Sequence, residues 1–189
     1  MHIEKVELDN FKAFNKLKFT CNDKFNVIIG ENNIGKSTIF EALNLWKFAY
    51  NRLIQERDRT RFYKANSYYL PFSDLSQIRL VDDNDLLHET SSSSAYITVT
   101  IKDGEEQFSL KIRFEKPTIK NAYIRFYNSD EFNEFERFAD HIRPKSCSLK
   151  NAIFIYQTRP ISTISRSEPF YNNGQIEKKI AIGKSHDVL

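Results

Sequence analysis

One stretch of eight residues has the composition and spacing of a phosphate-binding loop. Residues 30–37 read GENNIGKS, in which two glycines with four residues between them are followed by a lysine and a hydroxyl residue. Such glycines let successive backbone N–H groups curl around phosphate oxygens. Lys36 would reach the β- and γ-phosphates of ATP, and the Ser37 hydroxyl would ligate Mg²⁺. The stretch therefore predicts a site for a nucleotide and Mg²⁺; the alternative is a glycine turn without a ligand.

The flanking residues supply the elements that such a loop needs. The apolar run 25–29 (FNVII) predicts a buried strand that leads into the loop. Residues 37–57 carry apolar side chains at helical spacing over about five turns. A helix that starts beside Gly35 directs the positive end of its dipole at the bound phosphate. This strand–loop–helix order is the context in which the motif binds nucleotide.

Composition places the chain among ordinary globular proteins. With 189 residues, 40% of them hydrophobic and 28% charged, it is expected to form one domain with its own core. The net charge of +3 is too small to indicate nucleic-acid binding. Cys21 and Cys147 lack metal-site spacing and are typical of a reducing compartment, although the sequence leaves a disulfide open. No apolar run has membrane-spanning length and residues 1–5 lack signal-peptide character, so we expect a soluble cytoplasmic protein.

The rest of the chain alternates predicted strands with shorter helices. The predicted elements are a strand over 3–8, a turn at 9–10, an extended segment over 11–19, a short helix over 82–88, a hairpin of 96–101 and 108–114, a strand over 122–127, a helix over 130–142 ended by Pro144, an apolar strand over 152–156 and a helix that starts near 175. Residues 57–69 interleave basic and aromatic side chains. We interpret them as a solvated helix end and a packed loop, in preference to a platform for single-stranded nucleic acid.

Residues 8–14 (LDNFKAF) and 27–38 (VIIGENNIGKST) resemble the amino-terminal half of ABC-type AAA ATPases. This group includes the SMC proteins, the RecF repair protein and the OLD-family ATPase–nucleases, and ATPases of bacterial antiphage systems are similar in the same way. The resemblance is specific over residues 3–50 and topological beyond them. It implies an α/β P-loop NTPase fold, namely the N-terminal portion of an ABC-type ATPase head with a mixed β-sheet and an antiparallel hairpin region.

The resemblance also implies a division of the chain and a set of site residues. The regions are a phosphate-loop lobe (1–57), a helical and loop insertion (58–95), a β-hairpin region (96–127), a helix with the Q-loop strand (130–160) and the start of a further helix (175–189). The nucleotide-binding set is Gly30, Asn32, Asn33, Gly35, Lys36, Ser37, Thr38 and Lys12. Asn32 would lie near the γ-phosphate, and Gln157, at the place of the Q-loop glutamine, would contact the Mg²⁺ that Ser37 ligates. The alternative for Gln157 is a surface glutamine in a loop.

Three motifs of this family are missing from the sequence. It lacks the signature motif, the apolar strand that ends in Asp-Glu, and the switch histidine. Residues 79–83 (RLVDD) contain a charged residue and precede the predicted Q-loop, so we reject them as the acidic strand. Phosphoryl transfer needs a positioned water and charge compensation besides a phosphate cradle. We therefore assign no catalytic residue and expect ATP hydrolysis only when the missing C-terminal half is supplied.

The main hypothesis is the ATP-binding portion of an ABC-type AAA ATPase that acts in DNA metabolism or antiphage defence through nucleotide-dependent dimerisation of its heads. Its expected partners are a second head or larger assembly, a protein effector and DNA, but not a membrane. The alternative is a non-hydrolysing nucleotide-binding module that regulates or assembles a protein partner. A P-loop kinase would need an arginine-bearing lid and an acidic substrate pocket.

Overall fold

The structure is a computed structural model. Its described residues include a six-stranded antiparallel sheet with helices against one face. The described residues are 1–31, 34–71, 78, 83–89, 93–116, 123–153 and 155. The strands are β1 (His2–Phe11), β2 (Phe14–Thr20), β3 (Tyr68–Pro71), β4 (Ser94–Asp103), β5 (Glu106–Glu115) and β6 (Tyr123–Tyr127), in the order β2-β1-β4-β5-β6-β3. The helices are α1 (Lys36–Leu53), α2 (Phe132–Ile142) and α3 (Leu149–Ala152), with 3₁₀ turns at Asp83–Leu86, Ser129–Glu131 and Arg143–Lys145.

The predicted hairpin around residues 103–104 is confirmed as β4 and β5, which pair from Ser94↔Glu115 to Asp103↔Glu106. Their alternating pattern buries one face, including Ile97, Leu110 and Phe114, beneath the helices. A period of two is what a sheet with one covered face requires. The predicted strand over 122–127 is likewise confirmed as β6.

The first two strands form a hairpin whose turn differs from the prediction. The sequence placed a turn at Asp9-Asn10, but Asp9 pairs with both Lys16 and Tyr96 inside the sheet. The chain reverses at residues 12–13 instead, where Lys12 has φ 48°. Asn10 adopts φ 51°, and its side-chain amide donates to the Ser94 carbonyl at 2.9 Å. Asn tolerates this left-handed conformation within a paired strand, so a turn-favouring residue did not mark the turn.

Helix α1 lies on the sheet through its aromatic side chains. Trp46 is fully buried, stacks on Tyr50 with ring centroids 5.1 Å apart, and donates its indole N–H to the Leu110 carbonyl of β5 at 2.9 Å. The predicted helix is confirmed, but it ends at Leu53 because Ile54 turns into extended backbone (ψ 129°). This packing holds the helix that begins at the phosphate loop firmly against the sheet.

The segment after α1 contributes to the core. Phe62 is 4% exposed and makes edge contacts with Tyr50 and with Phe135 of α2, at centroid distances of 5.4 and 5.2 Å. The packed-loop interpretation is therefore confirmed for this aromatic residue. The predicted helix over 130–142 is confirmed as α2 after a 3₁₀ turn, and Pro144 lies in the 3₁₀ turn that follows it.

Two predicted strands differ in the structure. Residues 25–29 lie outside every strand, and the Phe25, Val27 and Ile29 side chains are 77%, 65% and 87% exposed. The predicted strand 152–156 is not a strand where the structure describes it: Ala152 ends α3, and residues 153 and 155 lie outside any strand. Residues 154 and 156 lie outside the described part of the chain. A continuous apolar run becomes a buried strand only when neighbouring strands pair with it and both faces are covered, and the described strands do neither for residues 25–29.

Among the described helices, none combines the length and apolarity needed to cross a membrane. The predicted helix start near residue 175 lies outside the described residues.

Candidate functional site

The described part of the phosphate loop contacts the lysine ammonium at the start of α1. Lys36 is the first residue of the helix, and its ammonium donates to the Gly30 carbonyl at 2.7 Å and to the Glu31 carbonyl. Lys36, near the end of the loop, is thus hydrogen-bonded to the backbone at the beginning of the loop. An ammonium group held by backbone carbonyls at this position can exchange them for phosphate oxygens, since both are hydrogen-bond acceptors.

The N-terminal end of α1 offers backbone donors for an anion. Within the described residues, no side chain caps this end of the helix, so its first N–H groups lack a capping acceptor. Ser37 is exposed, and Lys36 and Thr38 are half-buried. Free N–H groups and the helix dipole favour a phosphate here. The exposed Ser37 hydroxyl belongs to the hard oxygen donors that suit Mg²⁺.

Glycine is required at position 35 both by the backbone conformation there and by a neighbouring side chain. It has φ +94°, in the left-handed region that favours glycine. A Cβ built on Gly35 would lie 2.6 Å from Cζ of Phe14, the first residue of β2. The ring therefore packs directly on the loop backbone. The turn between β1 and β2 is thus part of the wall of the phosphate loop.

The same turn reaches α1 through an ion pair. The Lys12 ammonium donates to the Glu41 carboxylate, and the two side chains are 14% and 7% exposed. The turn is also fixed from its other side, because the Lys12 N–H donates to the Leu86 carbonyl at 3.1 Å. Lys12, predicted to bind nucleotide, is therefore placed beside the helix of the phosphate loop.

Helix α1 also holds the segment that leads towards Gln157. The Tyr50 hydroxyl donates to the Leu149 carbonyl at 2.6 Å. Lys47 donates to the Lys150 carbonyl at 3.2 Å and to the carbonyl of residue 153, and burial lowers the pKa of Lys47 to about 8. Residues just upstream of Gln157 are therefore attached to the helix that starts at the loop.

The structure brings five predicted site residues together and leaves three outside its description. Gly30, Gly35, Lys36, Ser37 and Thr38 meet where the loop enters α1. Lys12 lies beside them on the turn between β1 and β2, paired with Glu41. Asn32, Asn33 and Gln157 lie outside the described residues. The binding roles of all nine residues stay predictions.

Sequence reasoning missed two residues of the site. Phe14 was included in the extended segment and in the 8–14 resemblance but was given no role at the loop, and Glu41 was not singled out. Glu41 did carry a signal, because it lies on the same stretch of α1 as the buried Ile39 and Ala42. A carboxylate among buried positions of a helix calls for a cation or hydrogen-bond partner. Phe14 carried no such signal, since its contact joins residues 21 positions apart in sequence.

Comparison with known proteins identifies a family and several relatives. The family described as AAA ATPase domain matches residues 1–186. The chain is 47% identical over 49 residues to the DNA replication and repair protein RecF of Oceanobacillus iheyensis, a match that covers 26% of this chain and 13% of that protein. RecF proteins of Bacillus thuringiensis and Bacillus cereus are 36% identical over 63 residues, which is 33% of this chain and 17% of theirs. The chain thus matches well under two thirds of the length of these relatives.

Proposed function

The chain belongs to the AAA ATPase domain family, and we propose that it is the ATP-binding portion of an ABC-type ATPase that works in DNA metabolism through nucleotide-dependent dimerisation of its heads. The observation that carries the proposal is the Lys36 ammonium, held 2.7 Å from the Gly30 carbonyl at the open start of α1. That position lets one cation, the backbone N–H groups and the helix dipole act together on a polyphosphate.

The residues at the loop suit Mg·ATP. Gly35 has no Cβ to obstruct the backbone at the loop, and the exposed Ser37 hydroxyl is available to a hard cation. We propose Ser37 as a metal ligand, with Gln157 as a second one. When bound, Mg²⁺ would neutralise charge on the β- and γ-phosphates. Lys36 and the α1 N–H groups would orient the phosphate chain.

DNA metabolism is supported by the relatives that are named for DNA replication and repair. A role in antiphage defence rests on the sequence resemblance alone. Head dimerisation, with motifs supplied by a second part of the head, is proposed from the sequence resemblance. One observation of the structure supports it, because Phe25, Val27 and Ile29 expose apolar side chains beside the loop, as an interface requires.

The second candidate is a nucleotide-binding module without turnover that regulates or assembles a protein partner. The lack of an acidic strand in the sequence favours it. Both candidates require nucleotide binding at residues 30–38, so nucleotide binding does not distinguish them, whereas ATP hydrolysis does.

The decisive experiment for nucleotide binding is Lys36→Ala, tested by calorimetric titration with Mg·ATP. We expect binding to fall by at least about a hundredfold, because charge-assisted hydrogen bonds to phosphate are lost. The fold should remain, since Lys36 is not part of the apolar core. Lys16→Ala, an exposed lysine of β2, is the matched control and should bind like the original chain. Unchanged affinity in folded Lys36→Ala would remove the phosphate-loop assignment.

A further inference from the structure

Helix α1 carries a buried carboxylate close to the site where phosphate is expected. Glu41 is 6% exposed and follows Lys36 by five residues, about 7.5 Å along the helix axis at 1.5 Å per residue. A carboxylate so close to a bound polyphosphate opposes it electrostatically, and burial reduces the screening by water. An uncompensated buried carboxylate is also costly in itself.

Lys12 supplies the compensating charge from another element. Its ammonium donates to Glu41, and both side chains are largely buried, with 14% and 7% exposure. The backbone N–H of Lys12 donates to the Leu86 carbonyl. Phe14, two residues after Lys12, packs on Gly35. The turn between β1 and β2 therefore delivers one positive charge to Glu41 and one aromatic ring to the loop.

We propose that Lys12 is a positioning residue that supports nucleotide binding indirectly, by neutralising Glu41 beside the phosphate loop. This inference rests on the proposed function. The pair acts as one electrically neutral unit, so the affinity for nucleotide depends on its net charge. A direct contact between Lys12 and the phosphates, which the sequence resemblance implies, makes the opposite prediction for a double substitution.

The test is a double-mutant cycle of Lys12→Met, Glu41→Gln and the double variant, with Mg·ATP and Mg·ADP titrated by calorimetry. We expect Lys12→Met to weaken Mg·ATP binding by about tenfold or more, and Mg·ADP binding by less, because the triphosphate carries more charge to be opposed. Glu41→Gln should bind Mg·ATP at least as tightly as the original chain, because Glu41 then no longer compensates the Lys12 charge and that charge attracts the phosphates. The double variant should return to within about threefold of the original chain, because it carries no net charge at the pair.

The double variant decides the matter even if Lys12→Met fails to fold. If the double variant binds Mg·ATP as weakly as Lys12→Met does, or more than about tenfold below the original chain, Lys12 acts on the phosphates directly and the inference is overturned. A tenfold loss in Glu41→Gln alone overturns it too, since the carboxylate charge would then be needed. Lys12→Arg should retain affinity.

A matched control lies on the same hairpin. Lys18 and Glu7 form an ion pair at 3.2 Å whose side chains are 67% and 31% exposed. The corresponding variants, Lys18→Met and Glu7→Gln, should leave nucleotide affinity unchanged singly and together. Failure of the proposed function can be told apart from failure of this inference. If the proposed function is wrong, Lys36→Ala will bind Mg·ATP as well as the original chain does, whatever the Lys12–Glu41 cycle shows.

Discussion

At the scale of single residues, Gly35 is the position where the phosphate loop tolerates least change. Its φ of +94° and the Phe14 ring, 2.6 Å from the place of a Cβ, act independently against any side chain. We predict that Gly35→Ala lowers the free energy of unfolding by about 2–4 kcal/mol, as the sum of backbone strain and a steric clash. Urea denaturation followed by the fluorescence of Trp46 measures this.

Gly104 is the matched control for that substitution. It also has positive φ (+64°), but nothing lies within 4 Å of a Cβ built on it. Gly104→Ala should therefore cost only the backbone strain, about 1 kcal/mol. Equal costs at the two glycines would show that the Phe14 contact does not constrain the loop. Phe14→Leu should relieve part of the cost of Gly35→Ala and of no other glycine substitution.

Ser37 tests the metal site in the same loop. Its hydroxyl is exposed at the start of α1, where the motif places a ligand of Mg²⁺. We predict that Ser37→Ala weakens ATP binding in the presence of Mg²⁺ by about tenfold and leaves metal-free binding nearly unchanged. Titrations with Mg²⁺ and with EDTA separate the two. Equal losses under both conditions would contradict a metal-ligand role.

At the scale of elements, the end of the β4–β5 hairpin is tied to the end of α2 through one carboxylate. The Asp103 carboxylate accepts from Lys145 and lies 2.9 Å from His141 Nε2. Hydrogen bonds from Lys145 and then from His141 hold the pKa of Asp103 well below its ordinary value. Because the folded-state pKa is lowered, this stabilisation is present above the unfolded value of 3.8 and is lost as the pH falls below it.

We predict that Asp103→Asn lowers the free energy of unfolding by about 1 kcal/mol at pH 7, a modest value because solvent screens this surface cluster. The difference from the original chain should shrink when the denaturation is repeated at pH 3. Asp140→Asn is the control, since this carboxylate is 66% exposed and pairs with Arg143 at 2.9 Å. A deficit in Asp103→Asn that stays constant from pH 7 to pH 3 would contradict the assignment.

The attachment of α1 to its neighbours belongs to the same scale. Trp46 binds the helix to β5, and Tyr50 and Lys47 bind it to the segment 149–153. The helix that starts at the phosphate loop is therefore in contact with both the sheet and the residues that precede Gln157.

At the scale of the whole molecule, the question is whether this chain turns over ATP. Its sequence provides the residues proposed for a phosphate cradle and one hydroxyl proposed as a metal ligand, whereas phosphoryl transfer also needs a positioned water and compensating charge. We predict that the 189-residue chain binds Mg·ATP but hydrolyses it far more slowly than the roughly 1 s⁻¹ of a working enzyme. A coupled phosphate-release assay measures this, with Lys36→Ala as the background.

Turnover on the order of 1 s⁻¹ that disappears in Lys36→Ala would show that a catalytic carboxylate lies within this chain. Slow turnover that rises when a longer form is assayed would support the completed head and dimerisation. A longer form that binds ATP but stays equally slow would favour the module without turnover.

Local sequence patterns were sufficient for the loop, for α1 and α2 and for the β4–β5 hairpin. Each depends on residues close together in the chain: a motif of eight residues, apolar side chains at helical spacing, or alternation on both sides of a glycine turn. The motif determined the family for the same reason. Lys36, Ser37 and Gly35 could therefore be named before their geometry was known.

Contacts between distant segments decided the rest. Residues 25–29 have the composition of a buried strand, yet Phe25 is 77% exposed, because composition does not supply the neighbouring strands that such a run must pair with. The Phe14 ring on Gly35 and the Lys12–Glu41 ion pair join segments far apart in sequence. The sequence by itself determined the family and predicted which residues bind phosphate. Only the tertiary structure decided what surrounds them, because packing and charge pairing depend on which segments meet in space.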